Sequence, residues 1–504
     1  MFILFNKYCL TGRRKHQKEH FASDIFPGLM TILNNWKRPI LILFVIFIYV
    51  QHIHAQFIEE IIDYNPAPGQ FINLSGTGTP EAALSIIGED PGLVCLGSAG
   101  GYIVFRFDGP VINDPANPYG VDFTLFGNSL PEWSEPAAVY VMKDENGNSL
   151  PDDTWYLLAG SDYYFSTSHK NHQLTYYQPA SEVDDIAWRN NLGETGFVKR
   201  NAYHEQPYYP AELFPGTFYD DSCTFNFIKI EGELKTGSSV IVKSCSRAFG
   251  FADNKPEIFG DYENPDNPYT AEAEGYGGDA FDLSWAVNEA GDYIDLDTIH
   301  FIKVQTAMYG FSNAVGEISS ELRGGRLSSR DPSVTGKNEM LIIEDVSEDF
   351  DFGEYELKAF FFRNGQLVED ENINWVSSNP EIEISADGRI NFVDNTYTEV
   401  HATAKEGEIV SNTIIISSNA VSSAKTYLSD SDLKIFPNPA HEYISLRETI
   451  DAEVSIHNPN GSLIRSYGVI SPGELIDISS LRPGIYFINV KEKGKSKHAR
   501  IFKY

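Results

Sequence analysis

The segment Asp144-Glu145-Asn146-Gly147-Asn148-Ser149-Leu150-Pro151-Asp152-Asp153-Thr154-Trp155 has the spacing of a cation-binding loop. Oxygen-bearing side chains fall at loop positions one, three, five and nine: Asp144, Asn146, Asn148 and Asp152. Leu150 holds position seven, where such loops offer a backbone carbonyl. This alternation lets a chain wrap calcium, which takes roughly six to eight oxygens. Position six is Ser149 instead of the usual turn glycine, and position twelve is Trp155, so Asp153 is the residue left to close the shell. The flanking runs read as strands, so this is not an EF-hand. A metal-free hairpin loop rich in Asp, Asn and Gly is the competing reading. A second acidic stretch, Asp261 to Asp282, reads as a solvated loop.

Aromatic loops supply a different chemistry. Glu132-Trp133-Ser134, Ala187-Trp188-Arg189 and Tyr203-His204-Glu205-Gln206-Pro207-Tyr208-Tyr209 lie between strand-like runs. Exposed rings beside polar groups make platforms for sugars or planar ligands. Trp133, Trp188, His204, Tyr208 and Tyr209 are the ligand-binding candidates on this reading; the alternative is that they anchor their loops onto the body of the domain.

Catalytic signatures are sparse. His204-Glu205 begins like a zinc-protease motif, but Pro207 follows and position 208 is Tyr. No Gly-x-Ser-x-Gly elbow occurs, and nothing singles out a carboxylate pair for glycoside hydrolysis. Cys223 and Cys245 flank two strand-like runs. They either form a disulfide in an oxidising compartment or remain free thiols. Cys95, in the apolar run Leu93 to Leu96, reads as a small buried filler.

The elements that must position these residues are short runs rich in Val, Ile, Tyr and Phe. Tyr102-Ile103-Val104-Phe105-Arg106-Phe107, Val121 to Phe126, Ala138 to Met142, Phe281 to Val287 and Ile299 to Val304 are examples. Turn signals such as Asn146-Gly147 and Asp108-Gly109-Pro110 separate them. The pattern predicts an all-β chain. Residues 57–328 read as a jelly-roll-like β-sandwich with long loops, and 333–419 and 433–504 as two smaller sandwiches. Residues 420–432 read as a linker.

The chain has 504 residues and a formal net charge of −33. Such a surface repels nucleic acid, which is excluded as a partner. Lys37-Arg38 precedes the apolar run Ile40 to Val50 and then His54-Ala55-Gln56, a secretory signal pattern within residues 1–55. The length before it suggests that translation starts at Met30.

Three resemblances follow. The blocks Lys434-Ile435-Phe436-Pro437-Asn438-Pro439, Val454 to Gly461, Leu481 to Val490 and Ala499 to Tyr504 resemble, in order, the type A C-terminal sorting domain of the Bacteroidetes type IX secretion system. That implies release or attachment outside the outer membrane, with the secretion machinery and its sorting protease as partners. Ile373-Asn374-Trp375-Val376-Ser377-Ser378-Asn379-Pro380, Asp387-Gly388 and Glu399 to Ala404 resemble a bacterial immunoglobulin-like domain, which implies a spacer. Gly100 to Asp108, Asp122 to Asn128, Glu135-Pro136, Asp279 to Val287 and Gly316 to Ser319 are similar to Bacteroidetes surface proteins, some associated with vitamin B12 uptake. That resemblance implies a non-enzymatic binding protein that captures a cobamide or a glycan for a TonB-dependent transporter. An adhesin or structural protein and a secreted carbohydrate-active hydrolase are the alternatives.

Overall fold

The computed structural model describes residues 57–503 apart from internal stretches, the longest being 236–242, 257–262, 345–352 and 418–433. The signal region, the start at Met30 and the linker 420–432 lie outside the described residues.

The expectation of an all-β chain holds, and among the described residues the strand ladders are antiparallel. In the first domain a seven-stranded sheet runs in the order Ile58–Asn65, Tyr102–Phe107, Phe301–Thr306, Ala137–Met142, Trp155–Leu158 and Ala286–Val287. Phe251–Ala252 pairs additionally with Ala137–Met142. A three-stranded sheet, Asp279–Phe281, Phe123–Phe126 and Gly324–Leu327, lies against it. Alternate residues of both sheets turn inward, as period-two patterning requires. Their rings meet there: Phe123 stacks on Phe281 at 5.2 Å, and Phe107 lies 6.3 Å from Phe123.

A four-stranded sheet in the order Thr195–Val198, Ile186–Asn190, His169–Tyr177 and Ser222–Lys229 has its own core, built on Leu174, Tyr176, Phe225 and Tyr219. Its other face is turned to solvent: Gln173, Tyr177, Arg189, Phe197 and Asn226 are all exposed.

The second sandwich shares the first domain's core. Along Glu339–Ile343 and Ala359–Arg363, alternation sends Leu341, Ile343 and Phe361 into the second domain's own core. It sends Ile342 and Phe362 the other way, among Phe249, Leu283 and Trp285. The two strands join the domains by serving both cores. The sorting domain has two sheets, Lys434–Phe436, Tyr443–Arg447 and Leu475–Asp477 against Leu463–Ile470, Ala452–His457, Gly484–Glu492 and Lys495–Lys503. Ile444, Ile456, Ile488 and Ile501 fill the space between them.

Candidate functional site

The aromatic residues singled out from sequence are less accessible than that reading needs. Trp133 is 2% exposed and bridges to Ser244. Tyr208 and Tyr209 are 0% and 5% exposed. Their loop is clamped by Arg200, whose guanidinium donates to the carbonyls of Glu182, His204, Glu205 and Gln206 and lies 4.5 Å from the Tyr208 ring centre. His204 packs edge-on against Phe71 at 4.9 Å, and burial pushes its pKa down. Trp188 is half-buried, set over Gly196 and 5.2 Å from Tyr309. The exposure expected of Trp133, Tyr208 and Tyr209 is corrected: apolar burial of large rings outweighs their polar loop context.

Cys95 is buried, as expected of a small filler, and the open alternative for the other two falls on the side of thiols: Cys223 and Cys245 are buried and are not bonded to each other. Cys223 lies in the four-stranded sheet, whereas Cys245 follows the Lys243–Ser244 strand of another sheet.

The Asp144 loop is closed by hydrogen bonds among its own residues. Asn148 N and Ser149 N donate to the two Asp144 oxygens at 3.1 and 2.9 Å. Glu145 N donates to Asp153, and the amides of Asn146 and Asn148 donate to Asp152. Ser149 takes φ +60°, the left-handed conformation for which glycine is usual at that position. Leu150 is 55% exposed.

The solvent face of the four-stranded sheet brings together groups that the sequence reading did not join. Phe197 pairs with Ala187, and Trp188 with Tyr176, which sets Ala187 opposite Tyr177. Phe197 and Tyr177 therefore stand two strands apart, about 10 Å, with small Ala187 between them. They are 54% and 43% exposed. One row along, the Thr175 and Thr224 hydroxyls lie 2.8 Å apart; the next row holds Gln173 donating to Asn226 at 3.1 Å. Lys199 sits 4.7 Å over the Phe197 ring. The signal in the sequence was the alternation of Gln173, Thr175 and Tyr177 with buried Leu174 and Tyr176.

The sequence reading also missed a group inside the first domain. Ligand atoms of Glu135, Asp253 and Glu321 lie within 4.8 Å of one another, at 7%, 1% and 3% exposure. Pairing of Ala137 with Ala252 sets Glu135 against Asp253 at one end of the large sheet, where Glu135 N donates to Asp253 O. Asp253 takes φ +53° and accepts from Asn128 N and Glu321 N at 3.0 and 2.8 Å. Glu135 accepts from Ser319 N, and Glu321 from the Ser319 hydroxyl. Gly127 leaves room, since a Cβ there would lie 2.3 Å from Asp253 Oδ1. Burial, and then the neighbouring carboxylates, push Glu135 well above the usual range and Glu321 up to about 8. No local pattern sets the three apart: Asp253 precedes Asn254-Lys255, and Glu321 lies between Ser320 and Leu322-Arg323.

The described part of 261–282 is likewise not solvated throughout. Asp266, Asp279 and Asp282 are buried, and Asp279 accepts from Asn254 N and Lys255 N at 2.9 Å.

Residues 434–503 match the family described as Secretion system C-terminal sorting domain. A comparison with curated proteins finds no match. Among solved structures, the chain has a likeness to "Biofilm associated protein - BSP domain" at TM-score 0.13 and 10% identity, over 89% of this chain and 96% of that one. A second, "Sidekick-1 immunoglobulin domains 1-5", reaches TM-score 0.11 and 10% identity over 73% and 77%. Likenesses at these scores bear on neither fold nor function. The sorting domain makes this a Bacteroidetes-type cell-surface protein, exported by type IX secretion to the cell surface or the extracellular space.

Proposed function

We propose that the first domain binds glycan at the cell surface without catalysis, through the outer face of its four-stranded sheet. The observation that carries this reading is the row Phe197, Ala187, Tyr177. Two exposed rings flank a small residue, and polar ladders run beside them. Aromatic faces take the apolar faces of sugar rings, while amide, hydroxyl and guanidinium groups take their hydroxyls. Glycan is favoured over a cobamide because ladders of hydroxyl and amide groups run beside the two rings. Delivery to a TonB-dependent transporter, or attachment to another surface, would follow from the same binding. Calcium in the Asp144–Asp153 loop would stiffen the hairpin between Ala137–Met142 and Trp155–Leu158.

The test is a glycan panel followed by calorimetric titration of the full chain, with cyanocobalamin as a parallel titrant. Replacing Tyr177 and Phe197 by Ala should abolish glycan binding and leave the melting temperature unchanged. Undiminished binding in that variant, or a cobalamin isotherm with none for glycans, would sink the proposal.

A further inference from the structure

The outer face of the seven-stranded sheet carries a lysine set among three aromatic rings. Lys303 pairs with Tyr140, Trp155 with Met142 and Tyr102 with Gln305. Alternation therefore turns Lys303, Tyr140, Trp155 and Tyr102 to one side, away from the core that holds Ile302 and Val304. The Lys303 amine stands 4.2 Å from the Tyr140 ring centre, 5.3 Å from Trp155 and 5.9 Å from Tyr102. Val104, Met142 and Phe301 are the buried apolar residues of the same face, and Tyr102 and Trp155 pack against them. Lys303 and its three rings all remain partly open to solvent.

Among the described residues, no carboxylate pairs with Lys303 and no oxygen accepts from its amine. The other charged groups of this face are engaged elsewhere. Arg106 pairs with Glu60 at 2.6 Å, and Asp63 accepts from the Tyr102 hydroxyl at 3.2 Å. Burial alone lowers the Lys303 pKa, to about 8. The chain holds 71 acidic residues, yet none is set on this amine.

Ring faces attract a cation, but they do not replace the water that a partly buried ammonium has lost. The contact this amine lacks is a charge-assisted hydrogen bond to an anion. A carboxylate carried on a pyranose supplies it, while the flanking rings take the apolar face of the sugar. An acidic peptide side chain supplies the charge but no rigid face for the rings.

We propose that Lys303, Tyr102, Tyr140 and Trp155 form a second glycan subsite that takes the carboxylate of a uronic acid residue. It belongs to a different sheet from the Phe197 and Tyr177 row and does not depend on it.

The experiment uses the full chain with Tyr177→Ala and Phe197→Ala, so that the four-stranded sheet does not contribute. Calorimetric titration compares trigalacturonate with neutral galactotriose and with triaspartate. Trigalacturonate should bind roughly tenfold or more tightly than either, as one hydrogen bond to a charged group allows. A carboxylate favours the charged amine, so binding near pH 8 should take up protons, read as a heat that varies with the ionisation enthalpy of the buffer. Adding Lys303→Met should remove both the preference for the acid sugar and the proton uptake. Adding Lys303→Arg should keep the preference and remove the uptake, because a guanidinium is already charged. The proposal is overturned if trigalacturonate binds no better than galactotriose or triaspartate, or if its advantage survives Lys303→Met. If Lys303→Met does not fold, Lys303→Arg decides: proton uptake that persists in it overturns the proposal.

Discussion

Trp285 donates its indole N–H to the carbonyl of Asn364 at 3.0 Å, which ties the first domain's core to a hairpin tip of the second. That tip is Asn364-Gly365, both at positive φ, and a Cβ on Gly365 would lie 2.1 Å from the indole nitrogen. An Asn-Gly turn of this kind suits a two-residue hairpin. Trp285→Ala should therefore cost about 3 to 5 kcal/mol for the cavity. Calorimetry should show the first and second domains melting together in the parent chain. Two separate transitions in the parent would contradict the shared core.

Gly127→Ala should be more damaging than a surface glycine replacement. It drives a methyl group into Asp253 and displaces its carboxylate. Gly127 is not at positive φ, so the fall in its denaturation midpoint reads the packing cost; Gly147→Ala, at φ +70° with nothing within 4 Å of its Cβ position, reads backbone strain without packing.

His172 gives a pH dependence with a definite sign. It is 1% exposed, and neither ring nitrogen has a partner. Burial first, then Lys229 and His169, lower its pKa to about 4. Glu194 and Glu231 face it and pull the other way. Because the folded pKa lies below the unfolded one, its contribution is complete above about 6.5 and is lost as pH falls toward about 4. His172→Phe, placed between Phe227 and Tyr309, should flatten that limb of the stability profile relative to the parent. An unchanged slope would assign the limb to other groups.

Thiol titration checks the cysteines. In a chain starting at residue 57, a thiol reagent should find none of Cys95, Cys223 and Cys245 in the native state, and all three after denaturation. A reductant should leave the melting temperature unchanged.

Strand-rich character and the three-part organisation were legible because period-two alternation and turn residues act locally. Tyr102–Phe107 and Phe301–Thr306 show this well. The sorting domain was legible because several short motifs recur in fixed order. Burial of polar loops was not legible: nothing near Tyr208 says that Arg200 will fold its loop inward. Nor does local sequence show that Glu135 faces Asp253, because that contact depends on a ladder between strands more than a hundred residues apart. The paired use of Ile342 and Leu341 was hidden for a related reason. A run apolar on both sides reads as one buried strand, not as a wall between two cores.

That wall has a kinetic consequence. Phe123–Phe126 finds its partners only when Asp279–Phe281 and Gly324–Leu327 exist, and the space beside Trp285 is filled only when Ile342 and Phe362 arrive. Pairings of such long sequence separation fold slowly. The amino-terminal half cannot reach its final form until the chain has been made through Phe362, so its core closes late.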